Sequence, residues 1–248
     1  MRAFLTLWRR ELEAYFLSPI AYVMTIFFLV IMGFSFWMLV SVMAQGPAGV
    51  TVMKELFGSF FFWIAMLIVV PVLTMRLFAE EKRSGTIESL MTAPVTDTAV
   101  VLAKYAGAFG FFIVMWLPTI AYAYILKAFS PLSAPVDLGP MAGGYLGAFL
   151  LGSFYISVGL FASSLTNNQI VAAITSFAII CMAFFGGFLT FFARSEGLRS
   201  VAAYFSSVSH MLDFSRGAVD TRPIVLCISA TALMLFATVK VIESRKWK

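Results

Sequence analysis

Charge is what this sequence has least of. Asp, Glu, Lys and Arg make up 12% of its 248 residues, against 61% that are hydrophobic. Soluble domains carry about a quarter charged and roughly half apolar residues. The chain therefore lacks the polar surface that a water-soluble fold of this size needs, and the same figures exclude low-complexity disorder. Cysteine is nearly absent. Cys181 and Cys227 both lie in apolar runs and offer no disulfide framework. With His210 as its one histidine, the chain cannot build a His/Cys metal cluster. What abounds is Phe, which occurs 27 times. A folded core could not hide so much apolar surface from water, so the expected solvent is a lipid bilayer. The net charge of +5 then points to anchoring at a cytoplasmic membrane face rather than to nucleic acid.

A spanning helix needs about 20 mostly apolar residues. Stretches free of Asp, Glu, Lys and Arg cover 14–53, 56–75, 105–126, 138–193 and 223–239. The first is interrupted by Gln45-Gly46-Pro47-Ala48-Gly49 after one span. The fourth is long enough for two, divided near its middle by Thr166-Asn167-Asn168-Gln169. The sequence thus predicts six spans, near 20–43, 57–77, 100–126, 141–164, 169–192 and 223–241. The first apolar run is too long for the h-region of a cleavable signal, so a retained signal anchor is expected.

Six spans put both termini on one side. The segments on that side carry Arg2, Arg9, Arg10, Arg76, Lys82, Arg83, Lys104, Lys240, Arg245, Lys246 and Lys248. The other side has Lys54, Lys127, Arg194, Arg199, Arg216 and Arg222. Cytoplasmic loops are enriched in Lys and Arg, so both termini are expected inside a cell (inner) membrane.

Three segments between the spans carry information. In residues 1–18, Leu5, Trp8, Leu12 and Tyr15 recur at three- and four-residue spacing, while Arg9, Arg10 and Glu13 take other angles. That pattern predicts an amphipathic helix in the headgroup plane. Ser18-Pro19 reads as an N-cap with Pro at the first helical position of span one. Residues 79–95 form the second segment. Arg76, Glu80, Glu81, Lys82, Arg83 and Glu88 concentrate charge in a chain that otherwise avoids it. Span two should run on and stop at Gly85. Thr86 should cap a short helix that ends before Pro94 and carries Ile87, Leu90 and Met91 on one face. A short helix with an apolar face and no identifiable partner in its own chain is expected to be a docking element. The third segment, 193–222, is longer than most helix connections. Leu198, Val201, Ala202, Phe205, Val208 and Leu212 fall near helical spacing there and predict amphipathic helices dipping into the outer leaflet.

Enzyme motifs are missing. There is no G-x-x-x-x-G-K-[ST] phosphate loop and no G-x-G-x-x-G. With one histidine, an embedded protease is disfavoured. Arg76, Lys104 and Lys240 are all assigned to cytoplasmic span ends, and no ionisable group is expected at the membrane midplane, which argues against an ion-coupled carrier. In span four, Gly144, Ala148 and Gly152 form a small-residue stripe with Gly143 and Gly147 beside it. Close packing within the chain is the favoured reading.

The sequence Glu11-Leu12-Glu13-Ala14-Tyr15-Phe16-Leu17-Ser18-Pro19-Ile20-Ala21-Tyr22 before span one, Glu80-Glu81-Lys82-Arg83-Ser84-Gly85-Thr86-Ile87-Glu88-Ser89-Leu90 after span two, and His210-Met211-Leu212-Asp213-Phe214-Ser215-Arg216-Gly217-Ala218-Val219-Asp220 before span six resemble type-2 ATP-binding-cassette (ABC) exporter permeases. The branch with gliding-motility permeases and the permease of nitrous-oxide-reductase maturation looks most similar. The resemblance implies an all-α polytopic membrane protein with one permease domain over 1–248. Residues 1–18 would be its connecting helix. Gly85, Thr86, Ile87, Glu88, Ser89, Leu90, Met91 and Thr92 would hold the coupling helix that docks an ATPase, and 193–222 would be a re-entrant outer hairpin. It further implies two cytosolic ABC ATPase subunits, which hold the ATP and Mg, and a second permease protomer, identical or not. The chain itself would hold no cofactor and catalyse nothing. An alternative is a mechanotransmission subunit that passes ATPase motion to a periplasmic or membrane-anchored partner without moving a solute. Phe177, Phe184, Phe185 and Phe188 on span five are candidate pathway walls if they do not simply face lipid.

The charge asymmetry yields a topology test. In a Cys-free background, a membrane-impermeant thiol reagent added outside should label a cysteine at Ser209 and not one at Ser244. Labelling of Ser244 from outside contradicts the predicted orientation.

Overall fold

The computed structural model describes residues 2–43, 52–88, 95–129, 138–187, 195–197 and 204–244. It is helical throughout, with no strand among the described residues. The elements run α1 (Arg2–Phe16), α2 (Pro19–Met43), α3 (Val52–Gly58), α4 (Phe60–Thr74), α5 (Ala79–Ser84), α6 (Asp97–Trp116), a 3-10 turn (Leu117–Ile120), α7 (Ala121–Phe129), α8 (Leu138–Leu165), α9 (Gln169–Gly186), α10 (Ser207–Ser215) and α11 (Thr221–Glu243). Six stretches are long and apolar enough to cross a membrane: Pro19–Val42, Phe60–Ser84, Asp97–Ala128, Leu138–Leu165, Gln169–Gly186 and Thr221–Glu243. They are spans one to six. The protein is an all-α, multi-pass membrane protein.

Several ends form for reasons visible in the sequence. Pro19 opens span one. Thr96 Oγ1 accepts from the Ala99 N–H at 3.3 Å and caps span three. Asn168 Oδ1 accepts from the Ile170 N–H at 2.9 Å, so the polar 166–168 break becomes a tight turn into span five. Asp220 caps span six in the same way, accepting from the Arg222 N–H at 3.1 Å. Span two departs from expectation at its start. Ser59 Oγ accepts from the Phe62 N–H at 3.1 Å and begins a new helix there, so Phe57 belongs to the separate helix α3. The predicted break at 45–49 lies outside the described residues.

Span four is the spine. Spans one, two, three, five and six surround it or pack on its neighbours, and α3 and α10 cover its first half. Spans two to four are mostly buried, whereas one, five and six are peripheral. The small-residue stripe explains the close packing. A Cβ on Gly143 would sit 2.2 Å from the Phe214 carbonyl oxygen, one on Gly144 2.2 Å from the Phe57 ring, and one on Gly152 2.4 Å from the Phe112 ring. At Gly159 the obstacle is Thr74 Oγ1, 2.0 Å away. The stripe therefore serves packing within the chain. Helix α10 lies along span four, with Met211 and Phe214 against Gly147 and the backbone of Gly217 against Gly139 and Pro140. Leu198, Val201 and Ala202 of the same segment lie outside the described residues.

Overpacking a tight contact costs about 1–3 kcal/mol. Gly143→Val should therefore lower the thermal midpoint of the purified protein and broaden its gel-filtration peak. Gly139→Ala, where a Cβ meets nothing within 4 Å, should leave both unchanged.

Candidate functional site

The face that carries α1 also carries most of the organised charge. Here α1 lies across the start of span three, and glycine permits it. A Cβ on Gly107 would be 2.8 Å from Glu11 Cβ, and one on Gly110 would be 3.3 Å from the Leu12 side chain. That approach brings Glu11 to Lys104, three residues before Gly107. Lys104 is 2% exposed. A buried ammonium needs paired acceptors to stay charged. It donates to Glu81 Oε1 at 2.7 Å and to Glu11 Oε1 at 3.1 Å. Arg10 Nη2 joins from the rim, 2.9 Å from Glu11 Oε1 and 3.9 Å from Glu81 Oε1. The Phe78 ring covers the ammonium, its centroid 5.4 Å from Nζ. One lysine thus ties three elements, α1, α5 and span three. Glu81 Oε2 is buried and has no hydrogen-bond partner among the described residues.

A second set of contacts fixes α5 to span four. Ser163 Oγ accepts from the N–H groups of Phe78 and Ala79, both at 3.0 Å, and donates to the Met75 carbonyl at 3.0 Å. Lys82 Nζ donates to the Ser164 carbonyl. The turn between α4 and α5 is therefore clamped to the end of span four. On the other flank, Arg76 donates to Ser18 Oγ and lies over the Tyr15 ring, 5.2 Å from its centroid. Tyr15 donates to the Leu73 carbonyl at 3.0 Å and stacks on Phe111 at 5.1 Å. Burial raises the Tyr15 phenol above its usual range, which keeps it a donor.

Beyond this joint the chain reaches Gly85, which closes α5 at φ 74°, a conformation that favours glycine. Residues 86–88 turn helical again, and the Glu88 N–H donates to the Gly85 carbonyl at 3.3 Å. Between α1, α5 and span three lies a cavity of about 730 Å³, lined among others by Arg10, Glu11, Arg76, Glu80, Glu81 and Thr86.

Several expectations change. Tyr15 is not on the lipid side of α1 but buried against spans two and three. The exposed large apolar residues of α1 are Leu5, Trp8 and Phe16, with Leu12 half-buried against Gly110 and Arg9 and Glu13 paired beside them at 2.7 Å. The hydroxyl of Ser18 serves Arg76 rather than the start of span one. Thr86 does not act as the N-cap. It is itself helical, and its hydroxyl donates back to the Glu81 carbonyl at 3.4 Å. Ile87, expected on the docking face, is half-buried against the core of this chain. Ser89, Leu90, Met91, Thr92 and Pro94 lie outside the described residues. Charges within 76–83 reach out to other elements. Glu81 pairs with other elements, Arg76 and Lys82 bind neutral oxygens, and Glu80 and Arg83 are exposed.

Sequence reasoning missed Glu11 and Lys104 as site residues. A signal was present: Lys104 is the one charged residue between Asp97 and Lys127, and an isolated lysine inside a span needs an acid from elsewhere.

Removing one partner of a buried ion pair costs about 3–5 kcal/mol, because the remaining charges stay buried and unpaired. Lys104→Met should therefore sharply lower the thermal midpoint. Adding Glu11→Gln and Glu81→Gln to Lys104→Met should recover part of the loss. If the triple variant is no more stable than Lys104→Met, the two carboxylates are not what destabilises it.

Compared with known proteins, residues 47–242 match the family model described as ABC-2 family transporter protein. No curated protein matches the chain. The match takes in spans two to six and the charged segment after span two, and leaves α1 and span one outside it. It covers most of the chain, whose six apolar helices meet the demands of such a component, and a partner ABC ATPase is implied with it. The chain belongs to the ABC-2 transporter family, as the membrane permease component of an ABC transporter.

Proposed function

We propose that this protein is the permease subunit of an ATP-driven exporter, with both termini at the cytoplasmic face of an inner membrane. Two separate cytosolic ATPase subunits hold the ATP and Mg and dock at the 86–92 turn, and a second permease protomer completes the pathway. The observation that carries this reading is the Lys104 joint. A turn that takes a push from a partner is useful only if it is fixed to the spans that must move. Here the segment leading to that turn is fixed to α1 and span three through Lys104, and to span four through Ser163 and Lys82. Displacement of the turn then moves the packed interior of the bundle. The looser spans one, five and six accommodate that motion, and the pathway alternates between inward and outward access. The similarity to gliding-motility and nitrous-oxide-reductase-maturation permeases belongs to this same proposal.

The test is at Leu90, which the sequence spacing assigns to the docking face. Truncating a well-buried interface residue costs about 1–2 kcal/mol or more, and a charge buried there without a partner costs more still. Leu90→Asp should leave the permease inserted and monodisperse in detergent. It should reduce co-purification of the ATPase about tenfold or more, and separate ATP hydrolysis from transport. Co-purification at the wild-type level with full activity overturns the docking assignment.

A further inference from the structure

Spans five and six are neighbours in the bundle without being partners. Each packs along span four, but they make little or no contact with each other. Between them, backed by span four and closed on one side by α10, lies a second cavity of about 170 Å³. Its wall is carbon. Leu151 and Phe154 come from span four, Met182 and Ala183 from span five, and Leu226 and Ala230 from span six. Three side chains with polar atoms reach it, Ser207, His210 and Cys227, and His210 Nε2 is already engaged with the Tyr204 carbonyl at 2.8 Å.

An apolar cavity of this size, about 150 Å³ or a little more, stays dry and takes apolar guests. Its rims continue into surfaces that face away from the bundle. Met182 is 75% exposed, and Phe185, Val225 and Ile228 beside it are exposed as well. The slot is therefore open sideways, between two peripheral spans of a membrane protein. The apolar guest available there in abundance is a lipid tail.

We propose that this slot holds a segment of one alkyl chain of a membrane phospholipid, which enters laterally and fills the gap between spans five and six while the rest of the chain lies along their outer faces. The chain is a resident part of the bundle rather than annular solvent. It supplies the packing that the two helices do not give each other.

The test uses the full-length protein with a diazirine amino acid at Leu226, inside the slot, or at Phe236, on the outer face of span six. Irradiation in native membranes should give phospholipid adducts at both positions. After detergent extraction and washing, the Leu226 adduct should persist while the Phe236 adduct is lost. Filling the slot with Ala230→Trp, or with the smaller change Ala183→Leu, should remove the Leu226 adduct and leave the Phe236 adduct in membranes unchanged. Gel filtration of both variants confirms that they are folded. Three results overturn the proposal: a Leu226 adduct that washes out in parallel with that at Phe236, a cross-link from Leu226 to residues 188–203 of the same chain, or one to a second copy of the chain.

Discussion

A lysine that cannot leave its acids organises one end of this protein. Lys104 sits about two turns inside span three, buried to 2% exposure, where an unpaired ammonium is too costly to keep. It therefore requires Glu11 from α1 and Glu81 from α5, and both elements are held where those carboxylates can reach. The close crossing of α1 at Gly107 follows from this requirement, because any side chain at that position would push Glu11 away. The position of α5 depends on it too, with Ser163 and Lys82 fixing its other edge. A buried ion cluster is a poor source of stability compared with apolar packing of equal size. Its use here is geometric: it joins a helix that enters no span, a charged turn and two spans into one body.

The rest of the bundle obeys a different rule. Inside a membrane there is no hydrophobic drive to bring helices together, so they associate by close fit. Span four provides the fit with glycines at positions where Phe57, Phe112, Thr74 and the backbone of α10 press against it. Spans with such contacts form the interior. Spans one, five and six pack on span four or its neighbours along one side only, are less buried, and present their other apolar side chains outward. The architecture thus has a rigid centre joined to the charged end, and a periphery that can shift.

The spans were legible because each is built on a long apolar run, and the start of span one and the turn before span five because Pro19 and Asn168 act locally. The glycine stripe was legible as a seam for the same reason. The joint was legible in part. Glu81 stood out within its charge cluster, but its partners Arg10 and Lys104 lie 71 residues back and 23 ahead in the chain, and no local spacing announces pairs so distant. Tyr15 was misplaced because helical periodicity gives the angle of a side chain and not which neighbour occupies that angle. The apolar stripe of α1 meets span three at Leu12 and Tyr15 and leaves Leu5 and Trp8 exposed. Helix α3 escaped notice because Ser59 interrupts an apolar run without adding charge.

The central claim is that α1 and α5 move as one body with the interior spans. Spin labels at Ala14 and Arg83, both exposed, report on that body, and a label at Ser244, at the end of peripheral span six, supplies the contrast. Pulsed electron–electron distances would be taken on the permease reconstituted with its ATPase, with and without ATP. The account predicts an unchanged Ala14–Arg83 distance and a shifted Arg83–Ser244 distance. An Ala14–Arg83 distance that changes as much as Arg83–Ser244 would contradict it.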